Sequence, residues 1–218
     1  MGDKYRIYLL DVVGQPSLSD GNCPKVKDES YGFWLDEVCE RIGFETGVCV
    51  GASFGGLLIF KLAAVAPQRI EKAVLMNPVG LSYINLHPRS LYYTLAPVFF
   101  PNRKNVERFL NKIIFTATET PDADKLKRIA DYVEKSVKDF EFGGEYPYKL
   151  GDAEVVKLRA ETHLLVGDKD GLIPFQNTVS RAKELLPNLK SVEVFPEIGH
   201  GIELSTKAIL KLAEILAH

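Results

Sequence analysis

A chain of 218 residues fits one large domain and can bury a sizeable core. Its hydrophobic share of 46% and charged share of 26% are ordinary for a globular protein. A formal charge of −2, with both signs interspersed, gives no electrostatic reason to expect nucleic acid or an anionic membrane as a partner.

The first apolar run, "YRIYLLDV" (5–12), reads as a buried strand. Within "MGDKYRIYLLDVV" it is too short for a secretory signal. No segment approaches the ~20 apolar residues of a membrane span, so the expected location is the cytoplasm. "YGFWLDEVCERIG" reads as an amphipathic helix with Phe33, Trp34, Val38 and Ile42 on one face, stopped by Gly43. "GVCVGA" (47–52) is a second strand, and residues 55–66 form a nearly all-apolar helix ending at Pro67. "KAVLMNP" (72–78), "THLLVGD" (162–168) and "SVEVFPE" (191–197) complete five expected strands. Helices at 178–186 and in "TKAILKLAEILAH" follow the last two turns.

Strands alternating with helices predict a three-layer α/β sandwich around a mostly parallel sheet. Residues 81–155 break the alternation. "RSLYYTLAPVFF", "NVERFLNKIIF" and "ADKLKRIADYVEKSVKDF" carry helical spacing and no strand pattern. They are expected to form a helical cap inserted into a core built from 1–80 and 156–218. The three cysteines, Cys23, Cys39 and Cys49, form no CxxC pair or zinc-like cluster and read as reduced thiols.

The segment most informative about chemistry is "GASFGG" (51–56). A bare G-x-S-x-G arises by chance about once in fifteen chains of this length. Here a strand runs directly in and a helix directly out, which is the setting of a nucleophile elbow. Gly51 and Gly55 would remove Cβ atoms that crowd such a turn, leaving Ser53 at the carboxyl end of the sheet. The N–H of Phe54, at the helix start, would face a developing oxyanion.

A serine hydroxyl needs a base. Of His87, His163, His200 and His218, only His200, in "EIGHGIE" past the last strand, falls on the same sheet edge as Ser53. Its flanking glycines would let the ring swing over the site, whereas His163 begins a strand and reads as structural. The base in turn needs a carboxylate, and "LLVGDKDGLIP" offers Asp168 and Asp170. Asp168 ends the strand and suits a role within the loop. Asp170, two residues further out, is the better candidate. The chain order Ser53, Asp170, His200 matches one class of triad enzymes.

With these residues in place the sequence resembles the α/β-hydrolases of carboxylesterase type over nearly its whole length. "YRIYLLDVVGQPSLSD" resembles the family's strand and D-x-x-G-x-x-x-S loop. "GASFGGLLIFKLAAVAPQRIEKAVLMNPVG" resembles the elbow with its helix and next strand, and "LLVGDKDGLIP" and "IGHGIE" the acid and histidine loops. The resemblance implies hydrolysis of small-molecule esters through an acyl-enzyme, without a cofactor or metal. The first run resembles the family's fourth strand, and no His-Gly motif, source of the family's second oxyanion donor, precedes Ser53. Backbone N–H groups of "VVGQPS" (12–17) are the best replacement. Tyr92, Tyr93, Phe99 and Phe100 are candidate walls of a substrate pocket under the cap. An open sheet edge would favour a homodimer that covers it. The rival readings are carbon–carbon bond hydrolysis on the same residues, and a catalytically impaired or truncated homologue that binds small molecules without turnover.

Overall fold

A computed structural model describes residues 4–16, 19, 21–116, 120–140 and 145–217. Four strands, β1 (Gly47–Ala52), β2 (Ile70–Met76), β3 (Glu161–Gly167) and β4 (Leu189–Phe195), form one parallel sheet in sequence order. All four therefore point their carboxyl ends at one edge. The segments leaving Ala52, Met76, Gly167 and Phe195 meet there, where ligand sites of open α/β sheets form.

On one face of the sheet lie α1 (Ser30–Arg41), α2 (Phe54–Val65) and α7 (Phe175–Leu185), over Ala73, Leu75, Leu164 and Val166. The other face, with Val74, Met76 and Leu165, is covered by Ala208, Leu212 and Ile215 of α8 (Thr206–Ala217). Successive residues of β2 thus serve opposite layers, as strand geometry requires. Between β2 and β3 come α3 (Pro88–Phe99), α4 (Arg103–Phe109) running into one π-helical turn (Leu110–Ile114), α5 (Ala123–Asp139) and the short α6 (Asp152–Val155). Val106, Leu110, Phe115 and Ala130 give these helices a small core of their own.

Two sequence expectations are corrected. Residues 5–12 join no strand ladder, so the described sheet has four strands rather than five. Ile7 and Leu10 are exposed and Leu9 is 92% exposed. The composition suits a strand, but a strand exists only by pairing, and β1 is bonded to β2 alone. Val48 and Val50, which share one face of β1, are exposed.

The buried face of α1 is also not the expected one. It carries Tyr31, Gly32, Leu35 and Cys39, while Phe33 is 64% exposed. Gly32 sets this rotation: a Cβ there would lie 2.4 Å from the Lys61 carbonyl oxygen, so α1 approaches α2 through that glycine. The stop at Gly43 does match, with φ of 68°. The N–H of Gly43 bonds to Glu40 and that of Phe44 to Cys39, a paired cap that closes the helix.

Candidate active site

Ser53 stands between β1 and α2 with φ of 50°, a left-handed conformation a serine adopts only under constraint. The constraint is visible. Its N–H bonds to the Met76 carbonyl at 2.9 Å, and its carbonyl accepts from Gly56 and Val79, each at 3.0 Å. A Cβ on Gly51 would lie 2.4 Å from the Gly55 carbonyl oxygen, so that glycine is needed as expected. Gly55 itself faces open space. The second required glycine is Gly56, where a Cβ would lie 2.5 Å from that of Pro78. The helix after the elbow thus packs on the turn after β2 through position 56, not 55.

Phe54 opens α2, so its N–H has no acceptor one turn back in the helix. Its ring turns into the core, edge to face with Tyr31 at 5.4 Å. Tyr31 is fully buried, and its hydroxyl donates to the Val13 carbonyl at 3.0 Å. The loop after residue 12 is thereby tied, through Tyr31, to the residue that follows Ser53. Within that loop the Gln15 N–H is already bonded to Val12, while Ser17 lies outside the described residues.

The structure brings Ser53, Asp170 and His200 into one hydrogen-bonded line. His200 Nε2 lies 2.9 Å from Ser53 Oγ, and Nδ1 lies 2.8 Å from Asp170 Oδ2. The other Asp170 oxygen accepts the N–H groups of Leu172 and Ile173, both at 2.8 Å, which fixes the carboxylate. Asp168 points elsewhere, accepting the Glu197 N–H at 2.7 Å and tying the β3 loop to the β4 loop. His163 bonds Ser191 and Glu161 within the sheet, and His87 caps α3. His218 lies outside the described residues.

The glycines beside His200 serve contact rather than ring freedom. Cβ atoms on Gly199 and Gly201 would lie 2.6 Å from the Ile114 carbonyl oxygen and 2.7 Å from Ile114 Cγ2. The histidine loop is pressed onto the π-helical turn, and the N–H groups of His200 and Gly201 donate to the carbonyls of Ile113 and Ile114. Burial alone would lower the His200 pKa. The charge and hydrogen bond of Asp170, with a smaller contribution from Glu203, outweigh burial and hold it above the ordinary histidine value. Glu203 reaches solvent, yet the crowding around its carboxyl raises its pKa, and the negative charge of Asp170 adds to the rise.

The expected pocket walls lie on and just after α3. Tyr92, Phe99 and Phe100 are exposed, and Tyr93 is half-buried, packing edge to face on Tyr92 at 5.3 Å. Among the described residues none of the four makes a hydrogen bond or ring contact with Ser53, Asp170 or His200.

A family model described as the alpha/beta hydrolase fold matches residues 2–204. The chain belongs to this family. Carboxylesterase YbfK of Bacillus subtilis (strain 168) is 23% identical over 205 residues, covering 92% of this chain and 67% of the relative. The 2-hydroxymuconate semialdehyde hydrolase of Pseudomonas putida is 26% identical over 209 residues, covering 88% and 71%. The crystal structure of carboxylesterase CesB (YbfK) from Bacillus subtilis superposes with a TM-score of 0.76 at 22% identity, covering 94% of this chain and 71% of that one. This α/β-hydrolase chain spans about two thirds of the length of the curated carboxylesterases it matches. Among its described residues no helix is long and apolar enough to cross a membrane, and no cluster of His, Cys, Asp and Glu could hold a metal ion.

Proposed function

We propose that this protein is a serine hydrolase that cleaves carboxylic esters through an acyl-enzyme. The observation that carries the reading is the unbroken line from Ser53 Oγ through His200 to Asp170, at 2.9 and 2.8 Å. Ser53 Oγ attacks the acyl carbon while His200 Nε2 takes its proton. The carbonyl oxygen becomes an oxyanion facing the Phe54 N–H. The tetrahedral species collapses, the alcohol leaves with the proton from Nε2, and the acyl group stays on Oγ. Water then attacks the ester, gives its proton to Nε2, and the acid departs as Oγ recovers that proton. Asp170 keeps Nδ1 protonated and balances the imidazolium. The chemistry requires no cofactor. Residues 81–155 act as the cap, since their π-helical turn grips the His200 loop.

A second reading, hydrolysis of a carbon–carbon bond beside a ketone, is favoured by the similarity to 2-hydroxymuconate semialdehyde hydrolase. The same nucleophile and base would serve, with a carbanion rather than an alkoxide as leaving group. Labelling with a fluorophosphonate probe, with mass mapping of the adduct, tests the nucleophile. An adduct on Ser53 that vanishes in Ser53→Ala supports both hydrolase readings. A folded protein without the adduct overturns them in favour of a binding protein. Parallel assay of p-nitrophenyl acyl esters and of a vinylogous 1,5-diketo acid then decides between the two.

A further inference from the structure

At the centre of the same sheet edge sits a residue outside the Ser53–His200–Asp170 line. Asn77 follows β2, between the strand that delivers Ser53 and the strand that delivers Asp170. It is 1% exposed and held at a φ of 42°. Every polar group of its side chain is used. Nδ2 donates to the carbonyls of Gly199 and His200, each at 3.0 Å, and Oδ1 accepts the Gly167 N–H at 2.9 Å. Its own N–H bonds to Leu165 at 2.9 Å. The residue before it, Met76, accepts the Ser53 N–H, and Val79, two residues after it, donates to the Ser53 carbonyl. Gly167, the residue bonded to Oδ1, is also where the histidine loop rests, since a Cβ there would lie 2.3 Å from the Ile198 carbonyl oxygen.

We infer that Asn77 is the positioning residue of this site, a buried amide that fixes the histidine loop against the end of the strand that delivers the acid loop. It acts through His200, whose main-chain carbonyl it holds. The chemistry selects asparagine. Two carbonyls require two N–H donors, one amide N–H requires an acceptor, and only a primary amide supplies all three from one short side chain. Aspartate would keep the acceptor but present a charged oxygen to two carbonyl oxygens. Asparagine also tolerates the left-handed backbone better than other non-glycine residues. An unpaired carbonyl in this buried place carries a real cost, so the loop would move until its carbonyls found other donors. A displacement near 1 Å at a general base lowers rates by about 10²-fold.

This inference rests on the hydrolase reading, and its test separates the two. Asn77→Gly removes the amide and relaxes the backbone, which protects folding, while Asn77→Asp keeps size and backbone preference. Each is combined with His200→Ala, with folding checked by circular dichroism. In the wild-type background both variants should lower the fluorophosphonate labelling rate by about 10²-fold. In the His200→Ala background they should lower it no further, because the group they position is gone. An equal loss in both backgrounds would overturn the inference, since a merely structural residue acts independently of His200. A readout free of catalysis is the His200 imidazole titration followed by NMR. In Asn77→Gly it should fall towards the ordinary histidine value as contact with Asp170 loosens, and an unchanged midpoint would overturn the inference. A wild-type protein that never labels Ser53 defeats the hydrolase reading, while the titration still judges Asn77.

Discussion

Asp170 meets His200 with neither carboxylate oxygen free: Oδ2 faces Nδ1 at 2.8 Å while Oδ1 is clamped by the N–H groups of Leu172 and Ile173. The carboxylate cannot rotate without losing charge-assisted bonds, so it imposes one tautomer on the imidazole, with Nδ1 protonated and Nε2 free to accept from Ser53.

Asp170→Asn tests that clamp. The amide is nearly isosteric. If its oxygen stays with the two backbone donors, its NH₂ faces Nδ1 and forces the proton onto Nε2, where it blocks the base. The expected result is a fall of about 10⁴-fold in ester kcat with the fold retained. A loss under tenfold in a folded variant would mean that the carboxylate does not set the tautomer.

The raised His200 pKa gives a pH prediction with a definite sign. The base is active only when neutral, so the rising limb of the acylation rate should have its midpoint above the ordinary value of 6.5. Asp170 and Glu203 are the charges that hold it there. Glu203→Gln removes the outer one and should move the midpoint down, leaving the plateau rate unchanged. Because the folded pKa exceeds the unfolded one, this histidine stabilises the fold below the ordinary histidine range, and that contribution is lost as pH rises through the folded value. The rate of fluorophosphonate labelling against pH, for both proteins, measures the shift.

The two glycines of the elbow helix should respond oppositely to one methyl group. Gly55 faces open space, so Gly55→Ala adds no clash and gains helix propensity, raising stability by up to about 1 kcal/mol. Gly56→Ala drives a Cβ against Pro78, 2.5 Å away, and should cost about 1–3 kcal/mol. Urea unfolding of the two variants decides this, and equal stabilities would contradict the packing at position 56.

These glycines illustrate where the sequence could and could not be read. The elbow, the strands that pair, and the order of Ser53, Asp170 and His200 are legible because each is a local pattern: an apolar run, a turn residue, a position after a strand. Residues 5–12 carry the same apolar composition as β2, but ladder partners are a property of the assembled sheet. The inward face of α1 turns on contact between Gly32 and the Lys61 carbonyl, which periodicity does not encode. Asn77 bonds carbonyls 122 and 123 positions away. Its local signal is an asparagine after an apolar strand and before a proline, which reads equally well as an ordinary turn.

A last prediction concerns a buried charge away from the sheet edge. Lys61 of α2 has a side chain only 4% exposed, yet it carries an ammonium held at 3.0 Å by both Glu154 and the Tyr148 hydroxyl. Burial lowers its pKa, but these two partners outweigh that and the net shift is upward. Removing the partner and removing the charge should therefore differ. Glu154→Ala leaves a buried cation with a neutral hydroxyl, and loss of a buried partner costs about 3–5 kcal/mol. The solvent already reaching Glu154 places this case at or below the lower end of that range. Lys61→Met keeps the volume and removes the cation, and the Glu154 it leaves behind is 34% exposed and keeps the Tyr148 hydroxyl and the Gly151 N–H, so its loss is smaller than that of a cation stranded in the interior. Urea midpoints at neutral pH should rank Lys61→Met above Glu154→Ala. The reverse order would mean that the ammonium itself, rather than its neutralisation, stabilises the contact between α2 and α6.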